Sequence, residues 1–159
     1  MNPSDLIKGF QDLFSKERTT PASSASKMAD IISSYWSKGA SNMQGKPVTA
    51  SAKAALQSSI LPILTATSIT KSAAISRMVT AISTAYVGMI VSGGKHGFGG
   101  LTPGSTSELK DGIEKAYNSK NRKLAGTYFA KGVISYTSKI QTYGTGVPPD
   151  FIPPVGPLT

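Results

Sequence analysis

Residues 71–91 read KSAAISRMVTAISTAYVGMIV. Ile75, Val79, Ile82, Tyr86, Met89 and Ile90 recur at steps of three and four, with Ser, Thr, Arg and Lys between them. That period places one broad apolar face on an α-helix, whereas a half-buried strand would alternate every second residue. The spacing predicts a helix over 71–91, the longest in the chain. The run also carries Thr80, Ser83, Thr84 and Gly88. The most hydrophobic run, 78–91, falls short of the ~20 mostly apolar residues that a bilayer span needs, so no membrane partner is expected.

The same period extends outward. Met28, Ile31, Ile32, Tyr35 and Trp36 predict a helix stopped at Gly39, and Leu56, Ile60, Ile63 and Leu64 predict another whose end Pro62 bends or shortens. Residues 65–70 (TATSIT) form a turn rich in capping residues. Downstream, residues 92–104 (SGGKHGFGGLTPG) are a Gly-rich loop. Ser105-Thr106-Ser107-Glu108 reads as a capping box opening a helix through Leu109, Ile113, Ala116 and Tyr117. After a turn at 118–121, Leu124, Tyr128, Val133, Tyr136 and Ile140 predict a last helix from about 123 to 140. At the other end, Ser4 is a capping residue and Leu6, Phe10, Leu13 and Phe14 share one face of a short amphipathic helix. Residues 15–26 (SKERTTPASSAS) then read as a polar linker. The expected fold class is all-α: an N-terminal helix and linker (1–26), a body of about five helices (27–142) and a C-terminal arm (143–159). The N-terminal helix has to bury its face on its own domain or on a neighbour, and Phe10 and Phe14 are its candidate partner-binding residues.

A recurrence runs through the body. Ile32-Ser33-Ser34-Tyr35-Trp36, Ile82-Ser83-Thr84-Ala85-Tyr86 and Ile134-Ser135-Tyr136 are spaced by about fifty residues. PVTASAKAAL (47–56) also resembles GLTPGSTSEL (100–109), aligning Leu56 with Leu109. Either two halves share the long helix at 71–91, or the likeness follows from an Ala/Ser/Thr-rich composition.

The C-terminal stretch 143–159, YGTGVPPDFIPPVGPLT, has five prolines. Proline fixes φ and lacks an N–H, so an extended, polyproline-like arm is expected. Phe151 and Ile152 stand between the pairs Pro148-Pro149 and Pro153-Pro154. Apolar side chains on a stiff, pre-extended backbone lose little entropy on docking, and these six residues are the candidate partner-binding set of the arm.

Catalytic chemistry finds little footing. The chain has no cysteine and one histidine, His96, which lies in the Gly-rich loop without an acid nearby in sequence. Glu108, Asp111 and Glu114 interleave with Lys110 and Lys115 and read as a solvated helix start, where acids suit the dipole. Gly93-Gly94-Lys95 fails as a phosphate loop, since Met89 stands where the first glycine is required and a helix precedes it. Tyr35, Trp36 and Tyr86 fit a core at helical spacing better than a base-stacking platform. No enzyme, cofactor or metal is expected. The net charge is +9 with a pI near 9.8, and no Asp or Glu occurs between Asp30 and Glu108. That balance fits sparse surface charge around a core of small residues, or a face toward an acidic partner. Lys120, Arg122 and Lys123 form the one dense basic patch, a possible nucleic-acid contact.

SSYWSKGA (33–40), VTASAKAALQ (48–57), GGKHGFGGLTPGS (93–105) and the proline-rich end resemble small virion structural proteins of tailed bacteriophages, over most of the body. The resemblance implies a non-enzymatic subunit of a capsid, neck, tail or baseplate. It would be made in the host cytoplasm, reside in the virion, and contact copies of itself and other virion proteins. The absence of cysteine, and of a basic-then-apolar secretory signal in residues 1–10, fits that origin. The expected function is assembly through helical faces and terminal arms, the alternative being a basic protein that contacts packaged DNA.

Overall fold

Short polar side chains start most of the helices. In the computed structural model, which describes residues 2–16, 19–38, 46–87, 90–92, 101–102, 105–139, 141–142 and 156–157, the first helix is α1 (Pro3–Ser15). Asn2 Oδ1 accepts from the Ser4 N–H at 3.0 Å, so the cap is Asn2, and Ser4 supplies the N–H that is capped. In α2 (Pro21–Ser37), Thr20 Oγ1 accepts from the Ser23 N–H at 3.1 Å and Pro21 occupies the first turn. Proline is at home there because that N–H has no intrahelical partner. The expected linker at 15–26 is therefore only the short connection 16–20. α3 (Ala50–Thr65) absorbs Pro62 without ending there. α4 (Lys71–Val87) starts at Thr70, whose Oγ1 accepts from the Ala73 N–H at 3.2 Å. α5 (Ser107–Asn118) and α6 (Arg122–Ser138) follow, with Asn121 Oδ1 accepting from the Leu124 N–H at 3.0 Å.

The fold is all-α, with six helices among the described residues, and short turns at 66–70 and 119–121 join α3 to α4 and α5 to α6. Each helix packs on its chain neighbours, and α6 returns to pack closely on α1, so the six form a closed ring. The N-terminal helix is thus part of the body. Small ladders accompany the helix ends: β1 (Lys46–Val48) pairs antiparallel with β2 (Ile90–Ser92), and β4 (Gln141–Thr142) lies between β3 (Leu101–Thr102) and β5 (Gly156–Pro157). The helix expected over 71–91 accordingly ends at Val87, and Ile90 faces Val48 across a strand pair, a tertiary pairing that overrides the local period. The proline-rich stretch is not free at its end either, since Gly156 pairs with Thr142 and Pro157 with Gln141. Pro157 is tolerated because β5 is an edge strand.

The fifty-residue recurrence appears as three helix pairs, α1–α2, α3–α4 and α5–α6, whose second members are each 17 residues long. The recurring aromatic residues converge. Trp36 and Tyr86 meet edge to face with ring centroids 5.5 Å apart, and Tyr86 and Tyr136 do so at 5.9 Å. All three are fully buried, as are the aligned Leu56 and Leu109. Edge-to-face contacts of this kind add roughly 0.5–1.5 kcal/mol beyond area burial.

Glycine lets two helix pairs close. A Cβ on Gly126 of α6 would fall 2.6 Å from the Phe10 carbonyl oxygen of α1, and one on Gly112 of α5 would fall 2.6 Å from the Gly132 Cα of α6. Both obstacles are backbone and cannot rotate aside. Around the ring, ion pairs lie on the surface: Lys38–Asp5 at 3.2 Å, Lys53–Asp30 at 2.6 Å and Lys115–Asp111 at 2.7 Å. Such exposed pairs are worth about 0–1 kcal/mol each. Glu108 accepts from the Ser107 hydroxyl at 3.0 Å and from Lys139 at the end of α6. That engagement explains why the expected capping box does not form: Thr106 is the N-cap, with no side-chain hydrogen bond. The hydrogen bond from Lys139, then those from the Glu108 backbone and Ser107, hold the Glu108 carboxyl down to about 2.

Gly126→Ala should lower stability by about 1–3 kcal/mol in urea unfolding, because α1 must back away from α6. Because the folded-state value of Glu108 lies below its ordinary 4.5, its stabilising effect is complete above pH 4.5 and lost as pH falls toward about 2. Glu108→Gln should therefore lower the thermal midpoint at pH 7, flatten the acid limb of a thermal-melt series between about pH 4.5 and 2, and converge on the wild type at the acid end.

Candidate functional site

The two ends of the ring differ in chemistry. At one end, the C-termini of α2, α4 and α6 are sealed by the aromatic cluster. Trp36 Nε1 donates to Thr137 Oγ1 at 3.1 Å, and Thr137 Oγ1 donates to the Val133 carbonyl at 2.7 Å. Thr137 is fully buried, so this relay is the polar tie between α2 and α6 inside the core. The hydroxyls of Tyr86 and Tyr136 are buried and make no hydrogen bond. Burial pushes the Tyr136 phenol up to about 12, and burial together with Tyr136 pushes Tyr86 up as well. Neither ionises at ordinary pH. The reading of Tyr35, Trp36 and Tyr86 as core rather than as a stacking platform agrees with their burial.

The other end is open. The C-terminal turns of α1, α3 and α5 and the N-terminal turns of α2 and α6 surround a cavity of about 370 Å³. Phe14 and Phe129 make its aromatic wall, Met28 and Met78 lie deep within it, and Leu64 and Tyr117 complete it toward the mouth. Phe129 is held by Phe10, with ring centroids 4.7 Å apart, and Phe14 packs on Phe129 at 5.7 Å. A cavity of this size is in the range, roughly 300–1,000 Å³, that receives small ligands or anchoring side chains. Lys16, Thr19 and Ser24 are the polar groups on its lining. Two large apolar side chains flank the α5–α6 turn beside it: Tyr117 is 49% exposed and Leu124 is 42% exposed. The Asn118 side-chain Oδ1 accepts from Lys71 Nζ, tying the start of α4 to the end of α5 across the rim.

The sequence-derived candidates sort clearly. Phe10 is wholly buried in the protein's own core, so its expected role on a neighbour's surface is replaced by support of Phe129. Phe14 is half-buried and lines the cavity. Pro148, Pro149, Phe151, Ile152, Pro153 and Pro154 lie outside the described residues, as do His96 and Gly93 to Lys95. Lys120, Arg122 and Lys123 are exposed on the α5–α6 turn, at the open end of the ring. Glu108 and Asp111 are engaged by Lys139 and Lys115 as a solvated helix start would be. Among the described residues no group of three metal-ligating side chains comes together and no helix is long and apolar enough to cross a membrane. Sequence reasoning missed the cavity itself and the exposure of Tyr117 and Leu124, both of which it had assigned to apolar helix faces. Periodicity names the face but not the level at which a neighbouring helix stops covering it. No family model, curated protein or solved structure matches this chain.

Thr137→Val should cost about 1–3 kcal/mol in urea unfolding, since it strands the buried Trp36 N–H. Tyr136→Phe removes a hydroxyl that has no partner, and should leave the unfolding midpoint unchanged or raise it.

Proposed function

We infer that this protein is a non-enzymatic structural subunit that assembles by docking the open end of its helix ring against another protein chain. The observation that carries the reading is the apolar cavity with Tyr117 and Leu124 exposed at its margin. A ring that already closes on itself gains nothing from exposing these side chains, and an apolar patch rimmed by polar residues marks an interaction surface. The lysines and arginine of the α5–α6 turn supply a charged border, the usual anatomy of a protein–protein contact. The setting we propose is a phage particle, with copies of this chain and other virion proteins as neighbours. The sequence motifs support that setting.

A second reading has its own observation: Lys120, Arg122 and Lys123 are all exposed on one turn of a chain with net charge +9. They would meet phosphates, and binding would then weaken steeply with salt.

Light scattering on the full chain over a concentration series, at low and high salt, separates the two. The expected result is a mass above that of one chain that survives high salt, and that falls toward one chain in Tyr117→Ser/Leu124→Ser. A single-chain mass at every concentration, together with salt-sensitive binding of duplex DNA, would favour the second reading.

A further inference from the structure

The open-end cavity has no occupant from the described part of its own chain, and the sequence holds a segment chemically suited to it. The cavity wall is aromatic, from Phe14, Tyr117 and Phe129, with Lys16 on its lining and Lys120 and Lys123 on the adjoining turn. Aromatic-lined recesses are the surfaces that take up proline-rich segments, whose extended backbone is already formed. The segment between β4 and β5 reads YGTGVPPDFIPPV, with apolar Phe151 and Ile152 set between two proline pairs. Asp150, immediately before Phe151, is the single charged side chain in residues 143–159 and is opposite in sign to the lysines of the acceptor end. Apolar anchor, stiff backbone and charge all match.

Chain length favours the cavity of another copy. Gly156 pairs with Thr142, just past the C-terminal end of α6, so both ends of the segment are held at the sealed end of the ring. Phe151 stands five residues before Gly156 and reaches at most ~18 Å from it, even fully extended. The mouth of the cavity is at the other end of α6, where Ala125 lines it, roughly 20 Å along the helix from Ser138. Phe151 would then have to pass the rim and turn inward. Seating Phe151 in the cavity of its own ring would use up the full extension of the segment, with nothing left to turn inward.

We propose that the open-end cavity receives residues 148–154 of a second copy of this chain, with Phe151 and Ile152 as the inserted anchors. This deepens the assembly reading and rests on it. Donor and acceptor lie at opposite ends of one molecule, so the contact is heterologous, and repeated copies join head to tail into a closed ring or an open filament.

The chain has no cysteine, so introduced thiols report without interference. The test uses full-length protein carrying Ser24→Cys, on the cavity lining, and Ile152→Cys, on the segment, and oxidises it under mild conditions. The expected product is a ladder of covalently linked oligomers on denaturing gels. Mixed single-cysteine chains, one isotopically heavy, should give a mixed disulfide dimer that joins Cys at 24 of one chain to Cys at 152 of the other by mass spectrometry. A faster-migrating, internally bridged monomer would overturn the second-copy occupant. Absence of the 24–152 link in a protein whose wild-type form still scatters as an oligomer would overturn the cavity as acceptor while leaving assembly intact. A wild-type chain that is monomeric throughout would overturn both.

Discussion

A missing side chain closes this fold. The backbone of Phe10 occupies the space that any side chain at residue 126 would need, and that approach brings the first helix onto the last. Ring closure then covers Leu6 and Phe10 and builds the wall against which Phe129 and Phe14 stack. The cavity at the open end exists because α1 completes its circumference. Many of the buried positions are alanine or glycine, which release little transfer energy individually. Close approach replaces bulk: helices that touch backbone to backbone gain dispersion contacts that larger side chains would hold apart.

The helix ring has two chemically different ends along its axis. At the sealed end, three large aromatic residues and a hydrogen-bonded threonine fix the relative positions of α2, α4 and α6. At the open end, where the side chains of Met28 and Met78 are unbranched and adaptable, apolar surface stays uncovered. Stability concentrated at one end allows the other to carry unsatisfied apolar area without unfolding the ring.

Much of the architecture was legible from residue spacing. The three- and four-step recurrences around Ile32, Ile82 and Ile113 located helices, and the fifty-residue return of Trp36, Tyr86 and Tyr136 pointed to positions that do meet in space. Local signals failed where distant ones intervened. Pro21 looks like a linker residue until Thr20 is seen to cap the helix it begins. Ile90 continues a helical period but is claimed by Val48 across a strand pair. The open end was not legible at all, because Tyr117 and Leu124 satisfy the period of buried faces and only the three-dimensional ends of α1 and α3 leave them uncovered.

The meeting of the first and last helices also sets a schedule for synthesis. The apolar face of α1, Leu6, Phe10 and Leu13, has only α2 beside it until α6 has left the ribosome, some 123 residues after Ser15. At translation rates of about 5–20 residues per second, that is roughly 6–25 s during which the nascent chain carries an uncovered apolar helix. Until Gly126 arrives, the same face is available to chaperones and to the α1 helices of neighbouring chains on the same message. Closure of the ring, and with it the choice between one folded chain and tangled copies, is deferred until α6 is made.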